Sequence, residues 1–248
     1  MSGKQQLLSR NRWLGALFLL LGLSAFALIV MRVVFYEFAY DPQYYPVDYG
    51  RFNFFSYFTV QSNLYVCFYL CCLAFAFFGS DRAQRIVLHP LVKLTVTTYI
   101  LVTGAVYCGG IPLGMTPPLY WDGFHPVLLS VVQIVHHMVM PPLLLALFFL
   151  LPQSRRPEKM HFPLVGVYPL VYSLFSIVRG AVSDPQFYPY PFYRPEFFWN
   201  MFCSGKPLQQ PAAYLLMLPM LLLGISVFVL IALGLSALYN LLWKKKDR

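Results

Sequence analysis

The chain has 248 residues, 59% of them hydrophobic and only 11% charged, where a soluble domain carries about 25% charged residues. That composition excludes a soluble globular fold. A net charge of +9 would suit a nucleic-acid partner, but no nucleic-acid motif accompanies it, and its distribution fits a membrane topology. The expected class is all-α: one polytopic bundle of six transmembrane helices forming a single domain over residues 1–248.

The first span is expected over about 13–35, after Lys4, Arg10 and Arg12. Its basic start and the small-x-small triplet Ala25-Phe26-Ala27 have the look of a signal peptide. The apolar run continues through Val34, which favours an uncleaved anchor. The other spans are expected over about 54–78, 86–107, 127–151, 162–178 and 213–243. Each is close to or above the roughly 20 residues that cross a bilayer core, and the fifth is the shortest. No internal repeat is evident, so an inverted-repeat transporter is not supported.

Basic residues set the expected orientation. One side holds Lys4, Arg10, Arg12, Arg82, Arg85, Arg155, Arg156, Lys159 and the tail Lys244, Lys245, Lys246 and Arg248, against three acids, Asp81, Glu158 and Asp247. The other side holds Arg32, Arg51, Arg179, Arg194 and Lys206 against Glu37, Asp41, Asp48, Asp122, Asp184 and Glu196. Both termini are therefore expected in the cytosol, with a plasma membrane as the host and membrane lipids as partners. The outer connections, Tyr36 to Tyr49, Gly109 to Pro126 and Gly180 to Pro211, are long and rich in tyrosine and proline. They suit an aromatic belt at headgroup level, or a lid over a cavity open to the outer leaflet. Cys67, Cys71 and Cys72 read as packing residues, while Cys108 and Cys203 both fall on the outer side, where a disulfide would be chemically permitted.

Polar residues crowd two of the spans. Ser56, Thr59 and Asn63 stand at i, i+3 and i+7 and share a face if the helix is continuous, with Gln61 and Ser62 beside them. In the fourth span Ser130, Gln133 and His137 repeat that spacing, and His136 points about 100° away. Both spans enter from the outer side, and counting residues from their ends puts Thr59 and His137 at depths differing by roughly 5 Å. Tyr172, Ser176 and Arg179 form a third stripe on the fifth span, where Arg179 would snorkel or hold a carboxylate or phosphate. Thr95, Tyr99 and Thr103 could line the third span's share of a cavity, with Lys93 reaching the cytosolic surface. Three readings are open. The stripes could be interhelical glue, at about 0.6 kcal/mol per hydrogen bond. A metal site could use His125, His136 and His137, but adjacent histidines diverge on a helix and no carboxylate lies inside a span, so no metal or cofactor is expected. Or a hydroxyl activated by a neutral histidine could act as a nucleophile.

Three short motifs bear on that choice: Tyr57-Phe-Thr59-Val-Gln-Ser-Asn63, His137-Met-Val-Met-Pro141 and Tyr190-Pro-Phe192. In this order they resemble the androgen-induced-protein family of six-helix membrane proteins and its bacterial relatives. The resemblance implies a threonine hydrolase that cleaves lipid-like esters, with Thr59 as nucleophile and His137 as base. His136 is the alternative register for the base. Ser56 or Ser62 is the alternative for the nucleophile. Asn63 is the expected oxyanion donor, and Asn63, Gln133 or Asp122 would orient the imidazole; Ser130, Tyr172 and Arg179 are supporting candidates. An acyltransferase at the same site, or a non-enzymatic carrier of a small lipophilic ligand, would use the same polar face.

Overall fold

The computed structural model describes residues 8–35, 50–114, 116, 119–184, 186–203 and 205–244. The outer connection 36–49, with Glu37, Asp41 and Asp48, and the basic ends 1–7 and 245–248 lie outside the described residues. Among the described residues six helices are long and apolar enough to cross a membrane: Arg12–Val34, Phe58–Phe77, Pro90–Gly110, Phe124–Leu150, His161–Val182 and Pro211–Leu242. The protein is an all-α polytopic membrane protein. Below, these helices are the first to sixth spans.

Two starts differ from the sequence expectation, each for a local backbone reason. Before the second span the chain makes a 3₁₀ turn, Arg51–Ser56, and Tyr57 is extended (φ −78°, ψ 131°), so the α-helix begins at Phe58. Ser56 is therefore not on the helix that carries Thr59 and Asn63, and the expected three-residue stripe is cut to two. Ahead of the third span lies a separate helix, Asp81–Val87, capped by Ser80 Oγ, which accepts the Ala83 N–H at 3.3 Å. A residue before proline avoids the α region, and His89 obeys, with φ −67° and ψ 127°. Pro90 takes the first helical position, where its missing N–H costs nothing. The fifth span runs to Val182, four residues beyond its expected end.

The chain divides into two compact units, Met1–Pro157 and Glu158–Arg248. In the first, the glycine face of the first span lies on the second. A Cβ at Gly22 would stand 3.2 Å from the Cys67 carbonyl oxygen, and the rings of Phe18 and Phe77 stack at 5.6 Å. The third span packs against both the second and the fourth, and the fourth also meets the first. Val66, Leu70, Leu73, Ile100, Leu144 and Leu147 form the buried seam. At one end of this seam Lys93 is 1% exposed and does not reach out to the surface as expected. Its ammonium donates to the Leu151 and Pro152 carbonyls at 2.6 and 3.2 Å, over the Phe148 ring. It thus holds the two carbonyls that follow the C-terminal end of the fourth span, where a cation complements the helix dipole. Arg32, counted on the outer side in the sequence, lies in the last turn of the first span, 6% exposed, with its guanidinium 5.3 Å from the Phe54 ring centre.

In the second unit, Gly166 gives the fifth span a close approach to Ile225 and Val229 of the sixth. The connection between these spans folds back onto the fifth. Ser173 and Tyr193 share a hydrogen bond of 2.8 Å, Tyr188 and Tyr214 one of 3.3 Å, and the Tyr188 ring lies against Gly180. Burial raises the Tyr193 phenol to about 12, so it stays protonated at any ordinary pH. Cys108 and Cys203 are both free thiols.

Candidate functional site

Thr59 occupies the first turn of the second span, and the polar residues that follow it hold its carbonyl. Ser62 Oγ donates to Thr59 O at 3.0 Å and Asn63 Nδ2 donates to the same oxygen at 2.8 Å. Ser62 also reaches the third span, with its Oγ 2.7 Å from Thr103 Oγ1. Asn63 is 2% exposed, and its Oδ1 is buried without a hydrogen-bond partner. Gln61 turns the other way and ties the helix to the preceding 3₁₀ turn, through Nε2 to the Phe55 carbonyl at 2.9 Å. The expected cluster is therefore divided: Ser62 and Asn63 act on the Thr59 backbone, while Ser56 and Gln61 belong to the turn.

The fourth span changes winding at its histidines. Residues Val135–Val139 form a π turn, closed by the Met140 N–H donating to the Val135 carbonyl. Pro141 and Pro142 follow at once, and neither has an N–H to return to the carbonyls of His137 and Met138, four residues back. Inserted π turns of this kind are frequent at functional sites. The wider turn aims the two histidines at different neighbours. His136 Nε2 lies 3.0 Å from the Ala25 carbonyl of the first span. His137 stacks on Tyr107 of the third, with ring centres 4.2 Å apart and planes 23° from parallel.

A carbonyl can only accept, so these contacts fix the tautomers. His136 carries its proton on Nε2. His137 Nδ1 lies 3.2 Å from the Gln133 carbonyl and carries the proton there, which leaves the Nε2 lone pair of His137 as a base. Gln133 therefore orients His137 through its main chain, and the exposed Asp122 has no part in that contact. Ser130, expected on the same face, is occupied elsewhere: it accepts the Tyr120 N–H at 2.6 Å and lies 2.8 and 3.1 Å from the Tyr120 and Pro126 carbonyls.

The level of Thr59 against the fourth span depends on the side from which it is viewed. On the third-span side, the antiparallel register marked by Ser62–Thr103 and Tyr65–Tyr99, then by Tyr107–His137 and Gly104–Pro141, sets Thr59 opposite Met138. On the first-span side, Gly22–Leu70 and Phe35–His125 set it opposite Val127. The two registers differ by about eleven residues, roughly 16 Å along the axis. Only the third-span register sets Thr59 near the level of His137. Among the described residues they are not hydrogen-bonded to each other.

Tyr172 and Arg179 are placed by the second unit. The Tyr172 ring meets Tyr193 edge-on at 6.1 Å, and Arg179 lays its guanidinium 4.6 Å from the Phe187 ring centre. Between them Ser176 is buried, with its Oγ unbonded. No three His, Cys, Asp or Glu side chains come together among the described residues. Tyr107, Gly104 and Arg32 were not legible as site residues from spacing. Of these, Tyr107 carried the only signal, one turn beyond Thr103 on the same face of the third span.

Comparison with protein-family models, with curated proteins and with solved structures finds no match to the chain. The class that fold and site define is a helical polytopic membrane protein with a histidine-bearing π turn in its fourth span.

Proposed function

We propose that the protein is an intramembrane hydrolase of lipid-like esters, in the manner of the androgen-induced-protein family that its motifs resemble, with Thr59 as nucleophile and His137 as base. The observation that carries this reading is His137 itself. Its Nδ1–H is held by the Gln133 carbonyl and its ring by Tyr107, and its Nε2 lone pair has no hydrogen-bond partner among the described residues. Ser62 and Ser130, by contrast, are bonded at their hydroxyls, and His136, which also has one nitrogen on a carbonyl, faces the first span, away from the Thr103–Tyr107 stretch of the third.

In this reading Thr59 Oγ attacks the acyl carbon and gives its proton to His137 Nε2. The proton then passes to the leaving alcohol, and water releases the acyl group from Thr59 by the same route in reverse. Thr59 lies in the first turn of its helix, where the positive end of the dipole favours the charge that develops on the oxyanion. With Asn63 Nδ2 already donating to Thr59 O, Asn63 supports the backbone under the nucleophile. Catalytic hydrogen bonds commonly tighten on substrate binding, which is the step that must join Thr59 to His137. The basic-residue bias puts both termini in the cytosol and the Thr59 end of the bundle toward the outer leaflet, with a plasma membrane as the host.

The test is labelling of the detergent-purified protein by a fluorophosphonate, with hydrolysis of a long-chain fluorogenic ester alongside. Thr59→Ala and His137→Ala are expected to abolish both, at unchanged melting temperature. Undiminished labelling in Thr59→Ala would overturn the assignment, and parallel Ser56→Ala and Ser62→Ala variants locate any displaced nucleophile. The missing Thr59–His137 hydrogen bond favours a second reading, a carrier of a lipophilic ligand, which predicts a lipid-induced thermal shift and no labelling. Transfer of the acyl group to an added alcohol would mark the site as an acyltransferase.

A further inference from the structure

The third span contributes more to His137 than packing area. Tyr107 is 5% exposed, lies within a turn of the Ser62–Thr103 contact, and presents its ring face to the imidazole at 4.2 Å. Three features of the backbone maintain this stack. Gly104, one turn earlier, has no side chain to separate the helices: a Cβ there would stand 2.9 Å from the His137 carbonyl oxygen and 2.7 Å from Pro141 Cγ. The π turn widens the fourth span at this point. The Gln133 carbonyl fixes the rotation of the ring about its own axis.

From this geometry we infer that Tyr107 is a positioning residue for His137, whose ring face holds the imidazole in place and stabilises the imidazolium formed when Nε2 takes a proton. The inference rests on the hydrolase reading and adds a part to it. An aromatic face is the negative end of the ring quadrupole and attracts a cation stacked on it. When the Thr59 proton moves to Nε2, the positive charge appears over that face, and it leaves again when the proton passes to the departing alkoxide. A carboxylate does this work in the familiar triads, and here no carboxylate lies inside a span. Among the described residues, the other polar groups recorded against His137 are its neighbour His136, held to the first span, and the Gln133 carbonyl on its own helix.

The experiment compares Tyr107→Phe, which keeps the ring, with Tyr107→Leu, which removes it, in the full-length protein. The pH profile of kcat/KM is the primary readout. Tyr107→Leu is expected to lower kcat/KM about tenfold and to move the acidic limb about one pH unit lower, since a less stable imidazolium gives up its proton more readily. Tyr107→Phe is expected to keep the wild-type limb. An unmoved limb in Tyr107→Leu, or equal losses in the two variants, would overturn the inference. If Tyr107→Leu does not fold, a series of fluorinated phenylalanines placed at 107 by amber suppression weakens the ring quadrupole at constant shape. The limb should then fall stepwise with fluorine count, and a flat series refutes the role. Nitrogen-15 histidine spectra of the same proteins titrate His137 without substrate. If no ester is hydrolysed at all, they still report whether Tyr107 shifts the imidazole, separating failure of this inference from failure of the hydrolase reading.

Discussion

The sequence repeats one i, i+3, i+7 polar spacing at the second span, where Ser56 falls in the preceding turn, and within the fourth, and the fold uses the two sets differently. In the second span the stripe closes on itself: Ser62 and Asn63 both donate to the Thr59 carbonyl, and Ser62 also continues across to Thr103. In the fourth span the stripe is taken apart. Ser130 bonds the chain near Tyr120, His136 bonds the first span, and His137 faces the third. The difference is in the backbone. Both stripes use carbonyls of their own helix, Thr59 O in the second span and the Pro126 and Gln133 carbonyls in the fourth, but at the π turn the two histidines also meet two different neighbouring spans. Equal spacing in the sequence therefore predicts equal faces only where the winding stays α-helical.

The most severe way to break the comparison is to close the gap that the π turn occupies. Gly104→Leu places a branched side chain where even a Cβ would contact Pro141 Cγ at 2.7 Å and the His137 carbonyl at 2.9 Å. Both neighbours are backbone or a proline ring and cannot swing aside. Overpacking of this kind costs about 1–3 kcal/mol. Thermal unfolding in detergent should show that loss, and ester hydrolysis should fall further than the stability change explains. The matching change on the first span, Gly22→Leu, should cost comparable stability while leaving the His137–Tyr107 stack intact. Equal activity losses in the two variants would remove the special status of the π turn.

Ser130→Ala tests the fourth span at a point away from the histidines. Two backbone groups of Tyr120 meet the Ser130 hydroxyl, which is 1% exposed. Removing it takes a hydrogen-bonding partner from the part-buried Tyr120 N–H and carbonyl, at about 1 kcal/mol. The expected consequence is local: faster amide exchange and proteolysis around Trp121, with the His137 environment unchanged in nitrogen-15 spectra. A change at His137 would mean that the stripe acts as a unit after all.

What was legible in the sequence follows the same division. Six spans were legible because hydrocarbon tolerates few charges, a property of composition over twenty residues that local geometry cannot disguise. The divergence of His136 from His137 was legible too, because adjacent residues diverge on any helix. The start of the third span was missed because the apolar run continues back through Ile86, and only Pro90 marks the break. Ser56 was placed on the wrong element because nothing in Phe-Asn-Phe-Phe-Ser announces that Tyr57 is extended. The π turn could have been suspected from Pro141-Pro142, since two missing donors in succession must leave carbonyls to be accommodated by altered winding or solvent. Gly104 was out of reach, and Tyr107 offered only its place one turn beyond Thr103, because both roles come from register between helices, which no single span encodes.

The smallest expected effect concerns the bond by which Ser62 of the second span reaches the third. Ser62 Oγ and Thr103 Oγ1 are 2.7 Å apart and both side chains are about 1% exposed. Interhelical hydrogen bonds in membranes average about 0.6 kcal/mol, because the separated helices find other partners. Ser62 has such a partner at hand in the Thr59 carbonyl, which should hold the coupling near or below that average. A double-mutant cycle of Ser62→Ala and Thr103→Val, read by unfolding in mixed micelles, isolates the pair from the packing changes of each substitution. Thr103→Val keeps shape and removes the hydroxyl, so its single effect should be slight. If the coupling instead exceeds about 1.5 kcal/mol, near the upper end seen for such pairs, the second span is fastened to the third as firmly as the fourth is. The contrast between a self-contained stripe and a dispersed one would then be a difference of geometry without a difference of energy.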